Sequence, residues 1–141
     1  MKTILTTCLL IFFFNSGQLY SQTKTVTLYI SMSDYHSGLN WNSSVWKIRS
    51  SKSSDYTYVG EISNGLPNGK GVFSYPYRDT KYVGEFKDGY PHGQGTFTFS
   101  GGSKHVGEFK NGEPNGKGTW TYDDGRVLSG IWKDSRLVES Q

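Results

Sequence analysis

Residues 82–86, with the sequence Tyr-Val-Gly-Glu-Phe, decide the fold because closely similar stretches recur at an almost constant spacing. Residues 58–62 read Tyr-Val-Gly-Glu-Ile and residues 105–109 read His-Val-Gly-Glu-Phe, while residues 128–132, Leu-Ser-Gly-Ile-Trp, form a weaker fourth copy. The glycines of successive copies are 24, 23 and 23 residues apart. Self-similarity at such a period is the signature of a repeat protein. The sequence therefore predicts an array over residues 58–134, with three full units and a terminal half unit.

Each unit has the pattern of a β-hairpin. Side chains alternate between the two faces of a strand, so that Tyr82, Gly84 and Phe86 share one face while Val83 and Glu85 share the other. The second strand of each unit places glycines and aromatic residues on one face and mostly polar residues on the other. Asn-Gly and Asp-Gly pairs supply the positive φ angles that tight turns require. They stand at Asn64-Gly65, Asp88-Gly89, Asn111-Gly112 and Asp124-Gly125.

Stacked in sequence order, these hairpins predict an all-β fold, a single-layer antiparallel sheet of the β-solenoid kind. Equivalent rings then form columns whose neighbours are two strands apart, roughly 10 Å, and the glycines let these rings lie over the backbone. Most of the rings are expected to form the core, but one sheet cannot cover its own apolar face, and an exposed apolar patch usually marks an interaction site. The columns are Phe73, Phe97 and Trp120; Tyr75, Phe99 and Tyr122; and Ile62, Phe86, Phe109 and Trp132.

The units resemble MORN (membrane occupation and recognition nexus) repeats. The second unit matches the family pattern almost throughout, whereas Ile62 replaces the aromatic residue in the first unit and His105 replaces the tyrosine in the third. The fourth unit keeps Gly130 and Trp132 but lacks the Gly-x-Gly motif, and it resembles a terminal cap. The resemblance implies an elongated hairpin array with roles in membrane-lipid association, protein–protein contact or self-association. The matching residues of the second unit are Tyr82, Gly84, Glu85, Phe86, Gly89, Gly93 and Gly95.

The aromatic face is the candidate interaction surface, and a protein partner or a second copy is its expected occupant. A membrane surface and a glycan stacked on the rings are the alternatives. Residues 58–134 carry nine basic and nine acidic side chains, and this balance argues against nucleic acid and weakens the lipid alternative. The candidate contact residues are Phe73, Tyr75, Tyr82, Phe86, Phe97, Phe99, Phe109, Trp120, Tyr122 and Trp132.

Residues 1–21 have the features of a cleaved secretory signal peptide. A basic Lys2 precedes an apolar run over residues 4–14, which is too short to span a membrane, and small and polar residues follow it. The expected location is therefore secreted, periplasmic or associated with the cell envelope. The only cysteine, Cys8, lies inside the run, so the processed chain is expected to have neither a disulfide nor a cysteine metal site.

Residues 22–57 precede the repeats and are expected to form an N-terminal β cap. Val26, Leu28, Ile30 and Met32 alternate with polar residues and Tyr29 in an amphipathic strand. Residues 33–44 suggest a loop, residues 45–49 a second strand, and residues 50–55 a polar connection. An alternative function for this segment is a ligand site lined by Tyr35, His36, Trp41 and Trp46.

No residue pattern indicates catalysis, a cofactor or a metal ion. Ser33, Asp34 and His36 are residue types of a catalytic triad, but adjacency in sequence does not create triad geometry. The three histidines are far apart and lack ligand partners at suitable spacing. The expected function is therefore non-enzymatic, and residues 135–141 are expected to be a C-terminal tail.

Overall fold

A computed structural model describes residues 25–30, 56–76 and 79–141. These residues form a single antiparallel sheet in which each strand pairs with the strands before and after it in the sequence. The predicted all-β, single-layer fold of stacked hairpins is confirmed. The strands are β1 (Thr25–Ile30), β2 (Tyr56–Ser63), β3 (Leu66–Ser74), β4 (Lys81–Lys87), β5 (Tyr90–Thr98), β6 (Lys104–Lys110), β7 (Glu113–Thr121), β8 (Val127–Lys133) and β9 (Arg136–Ser140).

Four two-residue turns connect the strands within the units. Three of them are the predicted Asn-Gly and Asp-Gly pairs, in which both residues have positive φ, as tight hairpin turns require. The fourth predicted pair, Asp124-Gly125, lies instead in a longer connection between β7 and β8, where only Gly125 has a positive φ, of 85°. The φ angles in the three confirmed turns are 52° and 77° at Asn64 and Gly65, 51° and 92° at Asp88 and Gly89, and 51° and 91° at Asn111 and Gly112.

The expected C-terminal tail, residues 135–141, instead contains strand β9, which completes a fourth hairpin with β8. Its turn is formed by Asp134 and Ser135, with φ angles of 47° and 65°. Glycine normally occupies the second position of such a turn, because it has no Cβ to oppose a positive φ. Because serine occupies that position, this turn lacks the Asn-Gly or Asp-Gly pair from which the other turns were predicted. The fourth unit is therefore a complete hairpin and not a half unit.

A row of glycines crosses strands β2 to β8, with one glycine in each strand. Gly60 lies opposite Gly71, Gly71 opposite Gly84, and the pairing continues to Gly130 in β8. Since directly paired residues point to the same face of the sheet, this row leaves a strip of bare backbone on one face. Aromatic rings fill that strip, as described below. The row consists of Gly60, Gly71, Gly84, Gly95, Gly107, Gly118 and Gly130.

Strand β1 covers the edge of the first hairpin, as expected of a cap, by pairing antiparallel with β2. Leu28 and Ile30 are each 3% exposed and join the core cluster around Tyr58 and Phe73. The described strand, Thr25–Ile30, covers all of the predicted alternation except its last two residues, which lie outside the described part of the chain. The predicted signal peptide and the loop, second strand and ligand site predicted within residues 31–55 lie outside the described residues. Within the described part of the chain, no helix is long and apolar enough to cross a membrane.

Candidate binding surface

The ring at the start of each repeat lies over the glycine row. A Cβ placed on Gly95 would overlap the ring of Tyr82, and one on Gly71 would overlap the ring of Tyr58. A close approach of rings to the glycines was predicted, but for the rings of the columns and not for these two tyrosines. Both tyrosines are fully buried, and each hydroxyl donates a hydrogen bond to the backbone carbonyl three residues ahead, at 2.6 Å for Tyr58 and 3.0 Å for Tyr82. Burial, with a smaller effect of the neighbouring glutamate, raises the pKa of both hydroxyls well above its usual value.

His105 occupies the equivalent position in the third repeat but lacks the hydrogen bond. Its side chain is fully buried, and neither Nδ1 nor Nε2 has a hydrogen-bond partner. The imidazole is shorter than a phenol and has no hydroxyl to reach the backbone carbonyl that the tyrosines use. Burial lowers its pKa, because the apolar surroundings disfavour the charged form. His105 is therefore a neutral packing residue with unsatisfied polar atoms.

The buried rings form one continuous stack, called here the aromatic spine: Tyr58, Phe86, Tyr82, Phe109, His105 and Trp132. Successive ring centroids are 4.9, 5.1, 4.9, 5.4 and 4.9 Å apart, and the planes meet at 76–87°. Edge-to-face contacts of this kind add to the stabilisation from burial alone. The sequence predicted the phenylalanine column but not that the tyrosines and the histidine lie between its members. Interleaving brings rings that were expected to be about 10 Å apart into one chain of direct contacts.

Each repeat glutamate lies at a shift in the pairing register of its hairpin, and its side chain accepts a backbone hydrogen bond there. The pairing register shifts between the residues on either side of Glu61, Glu85 and Glu108, so that each glutamate lies opposite three residues of the second strand that have no partner in this ladder. The glutamate carboxylate accepts a hydrogen bond from the backbone amide of the last of these three residues, and this role was not recognised from the sequence. The nitrogen-to-oxygen distances are 2.9 Å from Lys70 to Glu61, 3.2 Å from Gln94 to Glu85, and 3.2 Å from Lys117 to Glu108.

Successive units are also tied together by their proline carbonyls. The carbonyl of Pro67 accepts a hydrogen bond from the turn amide of Gly89 at 2.9 Å, and Pro91 accepts one from Gly112 at the same distance. Pro114 accepts the equivalent bond from Ser135, so the fourth unit is joined in the same way as the others. These prolines were not singled out from the sequence. Their regular spacing is the signal that could have revealed them.

The second group of rings, called here the aromatic ledge, lies beside the spine and is only half buried: Tyr75, Phe97, Phe99, Trp120 and Tyr122. Successive centroids along the ledge are 5.8, 4.5, 4.8 and 6.0 Å apart. Trp120 joins the ledge to the spine, at 6.2 Å from Trp132, and its indole N–H has no hydrogen-bond partner. The ledge is thus a continuous apolar strip that the sheet covers only in part.

The ten predicted contact residues divide equally between these two environments. Tyr82, Phe86, Phe109 and Trp132 lie in the buried spine, and Phe73, which is 2% exposed, is buried beside it. A partner cannot reach these five side chains in the folded chain. The other five are the members of the ledge. Burial therefore narrows the candidate binding surface from the whole aromatic face to the ledge.

The opposite face of the sheet is polar, with a central row of β-branched residues. Val59, Val83 and Val106 are 43–44% exposed there, and Val59 and Val83 help to line a shallow groove of about 590 Å³ together with Lys70. Lysines and glutamates are interspersed along this face, and Gln94 lies between Glu85 and Glu108. The interleaved signs give no extended field of one charge, in agreement with the balance predicted from the sequence.

Comparison with protein families matches these units directly. The model of the MORN repeat matches residues 58–76, 82–104 and 105–125, which correspond to the first three hairpins and their following connections. The fourth hairpin, β8–β9, lies outside the matches but continues the same glycine row. A comparison with curated proteins gave no match. From the sequence matches and the hairpin geometry together, the chain contains three MORN repeats within residues 58–125.

Proposed function

We propose that this protein is a non-enzymatic scaffold that binds a protein partner or a second copy of itself through the aromatic ledge. The family supports a binding role, since MORN repeats take part in protein or membrane interactions. We also propose that it acts outside the cytoplasm. The apolar run over residues 4–14 and its flanking residues support that location.

The incomplete burial of the ledge is the observation that carries the proposal. Every ring of the spine is at most 7% exposed, whereas the five rings of the ledge remain partly open to solvent. Contiguous apolar surface of this kind tends to mark interaction sites, and Trp and Tyr are the residue types that most often dominate binding energy. Trp120 and Tyr122, at one end of the ledge, are the strongest candidates for such anchors.

The relative tilt of the rings favours a protein over a glycan. Phe97 and Phe99 meet at 41°, Phe99 and Trp120 at 38°, and Trp120 and Tyr122 at 54°. Such a ledge is irregular in relief and does not present one flat platform for sugar rings. A protein side chain inserts readily between tilted rings. A lipid surface is favoured less, because positive and negative side chains are interspersed on the polar face and form no extended basic cluster.

The chemical environment of the repeat carboxylates supports a structural and not a catalytic role. Glu61, Glu85 and Glu108 each accept a backbone hydrogen bond within their own hairpin. Burial raises the pKa of the Tyr58 and Tyr82 hydroxyls, which moves them further from proton transfer at neutral pH. These groups stabilise the array. The ledge is the aromatic surface that remains partly open to solvent.

Site-specific photo-crosslinking in the native host tests the ledge directly. A photoreactive amino acid replaces Tyr122 in one variant and Val83, on the opposite face, in a matched control. We expect a discrete crosslinked protein or a crosslinked dimer from position 122 and not from position 83. A second variant, Phe99→Ser in the chain with the crosslinker at position 122, should abolish the product.

Several results would contradict the proposal. Equal crosslinking from the two faces, or none from position 122 or from a second ledge position at Tyr75, would remove the ledge as a protein-binding surface. Retardation of the purified chain by a soluble glycan, lost in Phe99→Ser, would assign the ledge to sugars. Binding to anionic vesicles that depends on the ledge would assign it to membranes.

A further inference from the structure

Small hydroxyl residues separate the outer rings of the aromatic ledge. Thr80 lies between Tyr75 and Phe99, because the Tyr75 amide donates to its carbonyl and an amide of the next connection donates to its hydroxyl. The same two kinds of hydrogen bond place Ser103 between Phe99 and Tyr122. Both hydroxyl residues directly precede a lysine of the polar face, so strand alternation points them to the aromatic face. Each is shorter than the rings beside it and forms the floor of a trough between them.

The inner rings of the ledge line the same troughs. Phe97 contacts the outer ring of the preceding unit, with 5.8 Å between its centroid and that of Tyr75, and Trp120 contacts Phe99 in the same way at 4.8 Å. Each trough is therefore lined by three rings and floored by one hydroxyl residue. The arrangement recurs once per unit, and two strands separate one trough from the next, a distance of about 10 Å.

This spacing distinguishes between the conformations that a bound segment could have. Polyproline II has three residues per turn and rises about 3.1 Å per residue, so that one residue in three meets the ledge, about every 9 Å. A β-strand presents a side chain to one face about every 7 Å. An α-helix presents one about every 5 Å, and every second one would strike the ring between two troughs. Of the three conformations, polyproline II alone places one side chain in each trough and none on the ring between them.

We propose that the aromatic ledge binds a proline-rich segment of a partner protein in the polyproline II conformation, with prolines three residues apart in adjacent troughs. This inference rests on the function proposed above and names the class of partner. Grooves lined by aromatic residues recognise such segments, whose conformation is formed before binding. The backbone carbonyls of polyproline II have no internal hydrogen bonds. The hydroxyls of Thr80 and Ser103 each accept one amide and keep a hydrogen to donate to such carbonyls.

Sequence and charge indicate that the occupant is a different protein with a basic residue beside its prolines. The chain has four prolines, no two of which are three residues apart, so a second copy does not supply the motif. Asp79 and Asp123 are exposed in the connections that border the ledge. The Asp124 carboxylate is bound by Arg126, whereas that of Asp123 forms no ion pair with the residues that the structure describes. A basic residue next to the prolines can therefore pair with Asp123.

Binding of fluorescent peptides to the purified chain, followed by fluorescence anisotropy, tests the proposal. The probe has one arginine and prolines at every third position among alanines. A matched peptide of the same composition has prolines at every fourth position. We expect the probe to bind about tenfold more tightly than the matched peptide, because it alone fills adjacent troughs.

Variants of the chain locate the bound peptide. Ser103→Leu fills one trough and keeps every ring, so it should weaken binding of the probe about tenfold. Thr96→Leu, a matched change on the polar face, should leave binding unchanged. Asp123→Lys should weaken binding of the probe and not of the same peptide with alanine in place of arginine. Since Asp123 contributes only its backbone amide to the fold, this variant keeps the test decisive if Ser103→Leu does not fold, which far-UV circular dichroism checks.

Four results would overturn the proposal. They are equal binding of the two proline peptides, binding that survives Ser103→Leu in a folded chain, binding that ignores Asp123→Lys, and tighter binding of an amphipathic helical peptide of the same net charge. Crosslinking of a partner from position 122 without binding of the probe would reject this class of partner and keep the ledge as a protein-binding surface. Absence of crosslinking from the ledge would reject the proposed function and this inference together.

Discussion

His105 lies directly over Gly118, and a Cβ at that glycine would stand 2.6 Å from both Cε1 and Nε2 of the imidazole. The same relationship joins Tyr82 to Gly95 one repeat earlier. The pairing of a ring with a glycine therefore recurs from repeat to repeat in this chain, and each member depends on the other. The ring needs bare backbone beneath it, and the bare backbone needs the ring to exclude water.

Replacing that glycine tests the pairing. Gly118→Ala should lower the free energy of unfolding by about 1–3 kcal/mol, because the added methyl group forces His105 out of its packed position. Gly118 does not have a positive φ, so alanine introduces no backbone strain and the effect reports the contact. Urea unfolding followed by tryptophan fluorescence measures the change.

The neighbouring residue gives the control for this substitution. Lys117 is exposed, and the hydrogen bond at this position is made by its backbone amide and not by its side chain. Lys117→Ala should therefore change stability by less than about 0.5 kcal/mol. If both variants were equally stable, the ring would not be packed on the glycine as described.

The sequence predicted that aromatic rings would lie over the glycines, but it gave that place to the rings of the three columns and not to Tyr82 or His105. Strand alternation placed Tyr82 and Gly84 on one face, and only the absence of a Cβ allows a ring to lie across the backbone there. Which rings would remain open could not be predicted in the same way. The solvent exposure of each ring depends on how the rings of neighbouring columns interleave across strands. This arrangement is a feature of tertiary structure and cannot be read from the pattern of a single strand.

Two further features escaped the sequence for different physical reasons. The hydrogen bond accepted by each repeat glutamate was not predicted, because the shift in register that leaves the Gln94 amide for Glu85 leaves no mark on residue type. The hairpin at Asp134 and Ser135 was missed because its turn has no glycine. Residue propensity identifies the turns that contain glycine. At Asp134 and Ser135 the register of the preceding units imposes the same turn on two residues that favour it less.

The unsatisfied imidazole predicts that the third repeat can be stabilised. His105→Tyr should raise the free energy of unfolding by about 1–2 kcal/mol, since a phenol hydroxyl can donate to the Glu108 carbonyl as Tyr82 does to Glu85, and buried polar atoms without partners are removed. Thermal or urea unfolding measures the gain. His105→Phe separates the two contributions, because it removes the unsatisfied atoms without adding a donor. A loss of stability in both variants would show that Trp132 leaves no room for a larger ring.

Stability should also depend on pH through His105. Burial lowers the pKa of the folded-state imidazole below its ordinary value of about 6.5, so the unfolded chain binds a proton that the folded chain excludes. Stability then rises with pH wherever the unfolded state binds more protons. The contribution of His105 is complete above about pH 6.5 and is lost as pH falls below that value.

Unfolding measured between pH 8 and pH 5 checks this dependence. The free energy of unfolding should fall towards acid in the original chain, and the part due to this residue should disappear in His105→Phe. The remaining slope in that variant gives the contribution of all other groups. Identical slopes in the two proteins would show that the imidazole titrates without cost in the folded state.

Removing a repeat carboxylate should have a moderate effect. Glu85→Ala takes away the acceptor of the Gln94 amide, but that amide is near solvent and water can replace the carboxylate. The expected loss is therefore about 0.5–1.5 kcal/mol and not the larger cost of a buried unsatisfied donor. Glu113→Ala is the control, since the Glu113 side chain is exposed. Faster amide hydrogen exchange at Gln94, confined to the Glu85 variant, would identify the broken bond.

Trp120 and Phe109 distinguish the ledge from the spine. Phe109 is 3% exposed and contacts Tyr82 and His105. Phe109→Ala should therefore lower the free energy of unfolding by about 3–5 kcal/mol, as is typical of a buried aromatic residue. Trp120 is larger but only half buried, and its indole N–H gains no hydrogen bond in the fold. Trp120→Ala should therefore cost less than about 3 kcal/mol despite the greater volume removed. Urea unfolding of the two variants compares their losses of stability. A larger loss in Trp120→Ala would mean that the ledge is part of the core. The surface proposed for a partner would then be needed for folding itself.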